Sequence, residues 1–320
     1  MTFSGTPLRK PPAGPDATAH PLSRLTMRAM TAITERYDQN ATLYERWWAP
    51  VLAAAASRLL DRCEPRIAGL RQPARSLRVL DLGTGTGTLA IEAAQRWPMI
   101  AVTAVDASAG MLDVARRRAG GSLPVAQASA IDWVLAEADS LPVSTASVDL
   151  VISSFVLQLV ADREQVLREL HRVTRPGGQL AYVTWMAGRD GFTPAMEFDE
   201  AVYDLAIDEA EYEEEMRAGD VRSLRSAADE LRRAGFRGVR TERERLDHLW
   251  DRDDYLAYKV GYDEIGLFDQ LDDAMAEALE SRARERLADL AAEAFRWHPP
   301  IVYATATRDP GAGRHARQAR

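Results

Sequence analysis

Apolar positions change their spacing near residue 76. From about Leu25 to Ala74 they recur at steps of three and four residues, which predicts amphipathic helices with an interruption at Pro50. From Ser76 onward, short apolar runs alternate with helical patterns. Because a parallel strand connection needs a crossover helix, this alternation predicts a parallel sheet covered by helices on both faces.

Individual elements follow from apolar runs and from the turn residues between them. Strands are predicted at Leu77–Leu82, Ile100–Val105, Trp133–Ala136, Val148–Ser153, Gln179–Trp185, Phe236–Leu246 and Ile301–Thr307. Helices are predicted at Leu89–Trp97, Met111–Arg118 (closed by Gly120 and Gly121), Glu164–Val173 and Ser223–Ala234, with a long helical stretch at Tyr255–Phe295. The acidic segment Phe192–Asp220 is interpreted as a solvated helix face or loop in preference to a metal site.

These patterns divide the chain into five parts. Residues 1–24 contain five prolines and are expected to form a flexible leader, without a signal peptide or membrane span. Residues 25–74 are expected to form capping helices and residues 75–186 the ligand-binding core. Residues 187–308 complete the sheet and carry the acidic segment and a helical insert. Residues 309–320 are expected to form a flexible basic tail.

Charge and cysteine content narrow the function classes. The 320 residues include 40 Lys and Arg against 48 Asp and Glu, a net charge of −8. Such a chain lacks the positive field that favours a nucleic-acid partner. The single cysteine, Cys63, cannot form an internal disulfide or a cysteine-based metal site, so a reducing, cytoplasmic location is expected and no metal is predicted.

The segment Val79–Gly87, VLDLGTGTG, is the most informative part of the sequence. A strand that runs into closely spaced glycines lets the backbone approach a ligand, and Asp106 at the end of the next strand suits two ribose hydroxyls. The third glycine of the dinucleotide fingerprint is missing, because Thr88 stands there. Asp81 would repel a pyrophosphate and attract an ammonium group. These features favour S-adenosylmethionine over a dinucleotide.

Five segments together resemble the class I S-adenosylmethionine-dependent methyltransferases, in particular the small-molecule branch of ubiquinone/menaquinone-biosynthesis type. They are Val79–Gly87 (VLDLGTGTG), Val105–Leu112 (VDASAGML), Ala136–Val143 (AEADSLPV), Val148–Val160 (VDLVISSFVLQLV) and Glu169–Gly178 (ELHRVTRPGG). The resemblance implies a Rossmann-like, doubly wound α/β fold. It also implies a mostly parallel seven-stranded sheet, N-terminal capping helices and a helical insert before the last strand.

The resemblance also implies roles for individual residues. Asp81 and the glycine loop, with Gly83, Thr84, Gly85 and Gly87, would face the methionine portion of the cofactor. Asp106 would bind the ribose, Ala107 and Met111 would pack on the adenine, and Glu137 and Ala138 stand where relatives have Asp-Ala. Ser153, Ser154 and Phe155 would line the methyl-transfer channel, and Gln158 stands where relatives often have His. Tyr37 and Tyr44 either close over the cofactor or belong to the core.

The acceptor side is less defined by the sequence. If the acceptor must lose a proton, His248 and His298 are the candidate bases, since His20 and His315 lie in the tails and His171 resembles a structural residue. The aromatic residues of the late insert either line an acceptor cavity or bury the insert against the sheet. They are Trp250, Tyr255, Tyr258, Tyr262 and Phe268.

The predicted function is therefore methyl transfer to a small organic acceptor, with O-methylation favoured over C- or N-methylation. Two alternatives stay open: a methyltransferase that acts on nucleic acid or protein, and a non-methylating protein that only binds the cofactor. No membrane insertion is expected. The late insert is consistent with either a lid or the interface of a homodimer.

Overall fold

The computed structural model describes residues 33–70, 76–188, 191–207 and 219–310. The expected leader, the basic tail from residue 311 and the acidic run 208–218 lie outside the described residues. Within the described ranges, no helix is both long and apolar enough to cross a membrane.

In the part of the chain that the structure describes, nine strands form one large sheet and one small two-stranded sheet. They are β1 Leu77–Leu82, β2 Ile100–Asp106, β3 Ile131–Leu135, β4 Val148–Ser154, β5 Thr174–Trp185, β6 Arg237–Arg245, β7 His248–Leu249, β8 Arg296–Trp297 and β9 Pro300–Thr307. The large sheet has seven strands in the order β3-β2-β1-β4-β5-β9-β6, and β7 pairs with β8. All pairings in the large sheet are parallel except those of β9 with β5 and β6. The predicted doubly wound, mostly parallel sheet is confirmed.

Helices cover both faces of this sheet. After a helical segment at 33–39 come α1 Ala41–Trp47, α2 Ala49–Leu70, α3 Thr88–Arg96, α4 Ala109–Ser122, α5 Val125–Ala128, α6 Arg163–Val173, α7 Thr193–Asp204, α8 Leu224–Arg233, α9 Arg252–Tyr258, a π-helix Lys259–Asp263, α10 Ile265–Phe268, α11 Asp273–Ala288 and a 3-10 turn Ala292–Phe295. On β4, Leu150 and Ile152 pack into one core cluster and Val151 into the other. Because successive side chains point to opposite faces, a strand buried on both sides reads as a continuous apolar run.

Several predicted boundaries were wrong. The helix expected at Met111–Arg118 runs on to Ser122, because Gly120 and Gly121 do not adopt the left-handed backbone conformation by which a glycine ends a helix. β5 begins at Thr174 rather than Gln179, with a bulge where it meets β4. β3 runs from Ile131 to Leu135 rather than from Trp133 to Ala136. The predicted helical stretch Tyr255–Phe295 consists of several helices, one of them the π-helix, and β7 and β8 pair at its two ends.

A further wrong boundary concerns Pro50. It lies in the first turn of α2, where proline is well tolerated, and the break in the helices falls at Trp48 instead. The segment after β5 also contains a helix that the sequence did not specify, α7, which buries Phe198, Ala201 and Val202. The apolar stripe of α7 was not recognised in the sequence because the segment around it is strongly acidic.

The strand order positions the site. β1 lies between β2 and β4, so the direction of winding reverses between β1 and β4. Ligands of open α/β sheets bind at the carboxyl ends of the strands at such a reversal. Asp81 and Ser154 lie at these two strand ends.

Candidate cofactor cleft and acceptor side

A cleft opens at the carboxyl ends of β1 and β4. Its lining includes six of the predicted site residues: Tyr44, Asp81, Gly83, Thr84, Gly85 and Ser154. It also includes six residues that the sequence did not indicate: Ala49, Leu52, Ala56, Thr86, Thr88 and Leu89. The cleft therefore lies between the glycine loop and the first turns of α2.

The three glycines of the loop have different tasks, although all have positive φ (+63°, +54° and +85° for Gly83, Gly85 and Gly87). A β-carbon on Gly85 would meet nothing within 4 Å, so this residue leaves backbone exposed to a ligand. A β-carbon on Gly87 would lie 3.0 Å from the Trp133 ring and 3.1 Å from Ala115. Gly87 does not line the cleft; it lets α3 pack closely against α4 and β3, in contrast to the predicted ligand contact.

Asp81 is the most unusual polar group in the cleft. Its side chain is only 1% exposed, and Oδ2 accepts a hydrogen bond from the Thr84 hydroxyl at 2.7 Å. Oδ1 is buried and meets no donor at hydrogen-bond geometry among the described residues, although the backbone N–H of Ala90 in α3 lies near enough to the carboxyl to act against the rise in its pKa. Burial raises the pKa of this carboxyl to about 7. A buried acceptor without a partner is costly, so the site fits a ligand that brings a cationic donor to Oδ1.

Asp106 lies beside the loop at the end of β2. It accepts hydrogen bonds from the backbone N–H of Gly85 at 2.7 Å and of Ser108 at 2.9 Å. Burial raises its pKa, and these amides act against that rise. The backbone N–H of Ala136 donates to the carbonyl of Asp106, which brings the next residue, Glu137, alongside. The predicted ribose ligand is thus tied to the glycine loop itself.

The expected adenine side is built from α4 and the N-terminal helices. Met111 is buried in a small apolar cluster with Ala41 and Val114, against which Tyr37 and Tyr44 pack. Ala107 is half-buried directly after Asp106. Ala138, in contrast, packs against the core on the far face of the sheet.

Asp38 was missed by sequence reasoning, although it fastens the helical segment at 33–39 to α4. Its Oδ1 accepts hydrogen bonds from the Ser108 hydroxyl at 2.9 Å and from the Gly110 N–H at 2.7 Å. A β-carbon on Gly110 would lie 2.4 Å from the Asp38 carbonyl oxygen, so only glycine permits this approach. The Tyr37 and Tyr44 rings, 5.8 Å apart, are thereby held near Asp106.

The residues after β4 hold one another in a strained turn. Phe155 has φ +55°, a conformation that is unfavourable for a bulky side chain. Its N–H donates to the Val183 carbonyl at 2.8 Å, and its carbonyl accepts from Gln158 Nε2 at 2.6 Å. Gln158 Oε1 accepts from the Thr184 hydroxyl at 2.6 Å. Both polar atoms of Gln158 are thus hydrogen-bonded within the protein, and its role as a substrate contact stays a prediction.

Of the two serines before this turn, only Ser154 lines the cleft. The Ser153 hydroxyl is buried and donates to the Leu82 carbonyl at 3.0 Å, so it joins β4 to β1. Phe155 does not line the cleft; its ring packs against Trp185, with ring centroids 4.3 Å apart.

An aromatic cluster extends from this point into the insert. Trp48 lies 6.5 Å from Trp185, and it stacks on Tyr258 at 5.6 Å. Tyr258 in turn stacks on Trp250 at 4.7 Å. Tyr262 lies 6.3 Å from Tyr44, which lines the cleft. The structure thus brings the predicted aromatic residues together, in contact with one another.

Neither candidate histidine lines the cleft. His248 is half-buried with its ring 4.5 Å from Trp250, and burial lowers its pKa. His298 is exposed and lies 2.8 Å from Asp247 Oδ1. His171 packs edge-on against Phe236, as expected of a structural residue. The role of His248 or His298 as a base stays a prediction.

A doubly wound sheet with a glycine loop, two strand-end carboxylates and a cleft at the winding reversal defines a protein of the nucleoside-cofactor-binding class. Residues 80–182 match a family model described as a methyltransferase domain. The segment 80–182 thus matches the methyltransferase domain that the resemblance implied, over less than half of the 320 residues.

Similar proteins include enzymes of different acceptor type. Malonyl-[acyl-carrier protein] O-methyltransferase of Halorhodospira halophila is 36% identical over 168 residues, 51% of this chain and 48% of that protein. 2-Methoxy-6-polyprenyl-1,4-benzoquinol methylase of Caenorhabditis elegans is 34% identical over 128 residues, 40% of this chain and 44% of that protein. The chain thus spans less than half the length of these relatives.

One solved structure similar to this chain is that of a putative methyltransferase from Bacillus halodurans C-125. It is 16% identical with a TM-score of 0.49, and the match covers 80% of this chain and 99% of that chain.

Proposed function

We propose that this protein binds S-adenosylmethionine in the cleft and transfers its methyl group to a small organic acceptor. The observation that carries the proposal is the buried Oδ1 of Asp81, which has no partner among the described residues. An ammonium group is the donor that best satisfies a buried carboxylate beside an open backbone loop. A pyrophosphate, the other common ligand of such loops, would be repelled by it.

Residues that line the cleft and residues beside it fit the two ends of this cofactor. Asp81, with the backbone of Gly83 and Gly85, would hold the amino-acid end. Asp106 would hold the ribose hydroxyls, and Met111 and Ala107 would pack on the adenine. Leu52 and Ala56 of α2 line the opposite side of the cleft and would keep water away. The cofactor, when bound, supplies an electrophilic methyl group on a cationic sulfur.

We place the acceptor at the aromatic end of the cleft. Ala49 and Ser154 line the cleft, and their chain neighbours Trp48 and Phe155 begin the aromatic cluster. Apolar walls here favour a small organic acceptor and exclude water, and holding the acceptor in line with the methyl group would supply much of the rate. O-methylation is favoured, with His248 as the leading candidate base, since a half-buried imidazole whose pKa is lowered is neutral near pH 7 and can accept a proton.

The proposal is tested by calorimetric titration of the purified chain with S-adenosylmethionine and, in parallel, with NAD. We expect saturable binding of S-adenosylmethionine and S-adenosylhomocysteine, and none of NAD. Absence of S-adenosylmethionine binding at millimolar concentration refutes the proposal. Binding without any methyl transfer would instead favour a cofactor-binding protein without catalysis.

A further inference from the structure

Arg118 of α4 connects the two walls of the cleft without lining it. Its Nε lies 2.7 Å from Glu45 Oε1 on α1. Its Nη1 donates to the Thr86 carbonyl at 2.7 Å and lies 3.3 Å from the hydroxyls of both Thr86 and Thr88. One guanidinium therefore holds the capping helix and the glycine loop at the same time.

Both of the elements that Arg118 holds contribute to the cleft. Tyr44, the neighbour of Glu45, lines it from the side of α1, and Thr86 and Thr88 line it from the side of the loop. The planar fork of arginine has donors on separate nitrogens, so it can serve two partners in fixed directions. A lysine in this place has a single nitrogen and cannot reproduce the arrangement.

Glu45 makes this junction sensitive to the loss of Arg118. Its Oε2 is buried with no hydrogen-bond partner among the described residues. Without Arg118, the Glu45 carboxylate would lose its ion pair while one oxygen stays buried. The Glu45 side chain is only 27% exposed, so its carboxylate would be drawn toward solvent, and a shift of α1 in that direction would carry Tyr44 away from the glycine loop.

We infer that Arg118 is a positioning residue that braces α1 against the glycine loop and so sets the affinity for the cofactor. The inference rests on the proposed cofactor binding and adds to it a residue outside the cleft. Asp38, which also holds the N-terminal helices in place, contacts the opposite end of α4. The capping helices are thereby held to α4 near both of its ends.

The test is calorimetric titration of S-adenosylmethionine into four forms: the unaltered chain, Arg118→Gln, Glu45→Gln and the double variant. We expect Arg118→Gln to raise the Kd about tenfold and Glu45→Gln to raise it less. Glu45→Gln should rescue Arg118→Gln, because it removes the buried charge that loses its partner. Arg116→Gln, on the same helix, is the matched control: Arg116 is exposed and pairs with Asp113 at 2.7 Å, so an unchanged Kd is expected.

Recovery of affinity in the double variant separates a positioning role from a general loss of packing. A general loss of packing would leave the double variant with a Kd at least as high as that of either single variant. Should Arg118→Gln fail to fold, Arg118→Lys keeps the charge beside Glu45 and is still expected to weaken binding. If the unaltered chain binds and Arg118→Gln binds within about twofold of it, the inference alone is overturned. If the unaltered chain does not bind, the proposed function falls and the inference with it.

Discussion

Replacing Asp81 by Asn is expected to change stability and cofactor affinity in opposite directions. The carboxyl is buried with Oδ1 unpartnered, and burial raises its pKa from the ordinary 3.8 to about 7. Between these two pH values the folded state holds more protons than the unfolded state, so this group makes stability fall as the pH rises. Above pH 7 it is charged and at its most destabilising.

The magnitude follows from the pKa difference. From 3.8 to about 7 is about 3 pKa units, which at about 1.4 kcal/mol each gives an upper limit of about 4 kcal/mol at pH 8. Asp81→Asn should recover part of this in the absence of ligand, because the amide still accepts from the Thr84 hydroxyl and carries no charge. The gain should be smaller at pH 5, where much of the destabilisation has already disappeared. Affinity for S-adenosylmethionine should fall about 10- to 100-fold, since a charged hydrogen bond is lost.

Urea unfolding at pH 8 and pH 5, with calorimetric titration at pH 8, measures both effects. Asp149→Asn is the matched control: Asp149 is equally buried, but it pairs with Arg175 and accepts from the Arg78 N–H at 2.9 Å. That variant should be destabilised, because it breaks a buried ion pair. A ligand-free Asp81→Asn that is less stable than the unaltered chain at pH 8, or one that keeps full affinity, would refute the reasoning.

Three further predictions concern the surroundings of the cleft. Asp106→Ala should weaken cofactor binding by about 1–3 kcal/mol in calorimetry, because the glycine loop loses the carboxylate that accepts from Gly85 and the ribose loses its hydrogen-bond partner. Unchanged affinity would show that the ribose lies elsewhere. Asp38→Ala should speed cofactor dissociation about threefold or more in stopped-flow displacement, as it releases the helical segment at 33–39 from α4; an unchanged rate contradicts the fastening. Thr184→Val should leave cofactor affinity intact and lower kcat/KM for the acceptor, because Gln158 loses a donor, whereas Thr174→Val at the other end of β5 should lower only stability. Equal effects of the two variants on kcat/KM would argue against the Gln158 arrangement.

The fold was predictable because its strongest signals are local. The strands β1, β2 and β4 consist mainly of apolar residues, and the glycines between β1 and α3 predict a tight loop there. Asp81 and Asp106 were found from their places at strand ends, and the sheet brings both to one edge. The chain positions of these residues therefore contained most of what their roles require.

The remainder depends on which surfaces meet, and no local pattern encodes that. Leu52 and Ala56 read as ordinary helix positions, and only the packing of α2 over the loop places them in the cleft. Arg118 is one of three consecutive arginines, and nothing in the sequence sets it apart from its neighbours. Gln158 was assigned by analogy to the substrate, whereas its amide holds the backbone of Phe155.

Methyl transfer from isotopically labelled S-adenosylmethionine to an extract of small metabolites tests the central claim most directly. We predict that the unaltered chain transfers the label to a small organic product identifiable by mass spectrometry, and that Asp106→Ala does so much more slowly. Saturable cofactor binding with no labelled product, across extracts that support transfer by a known methyltransferase, would contradict the account.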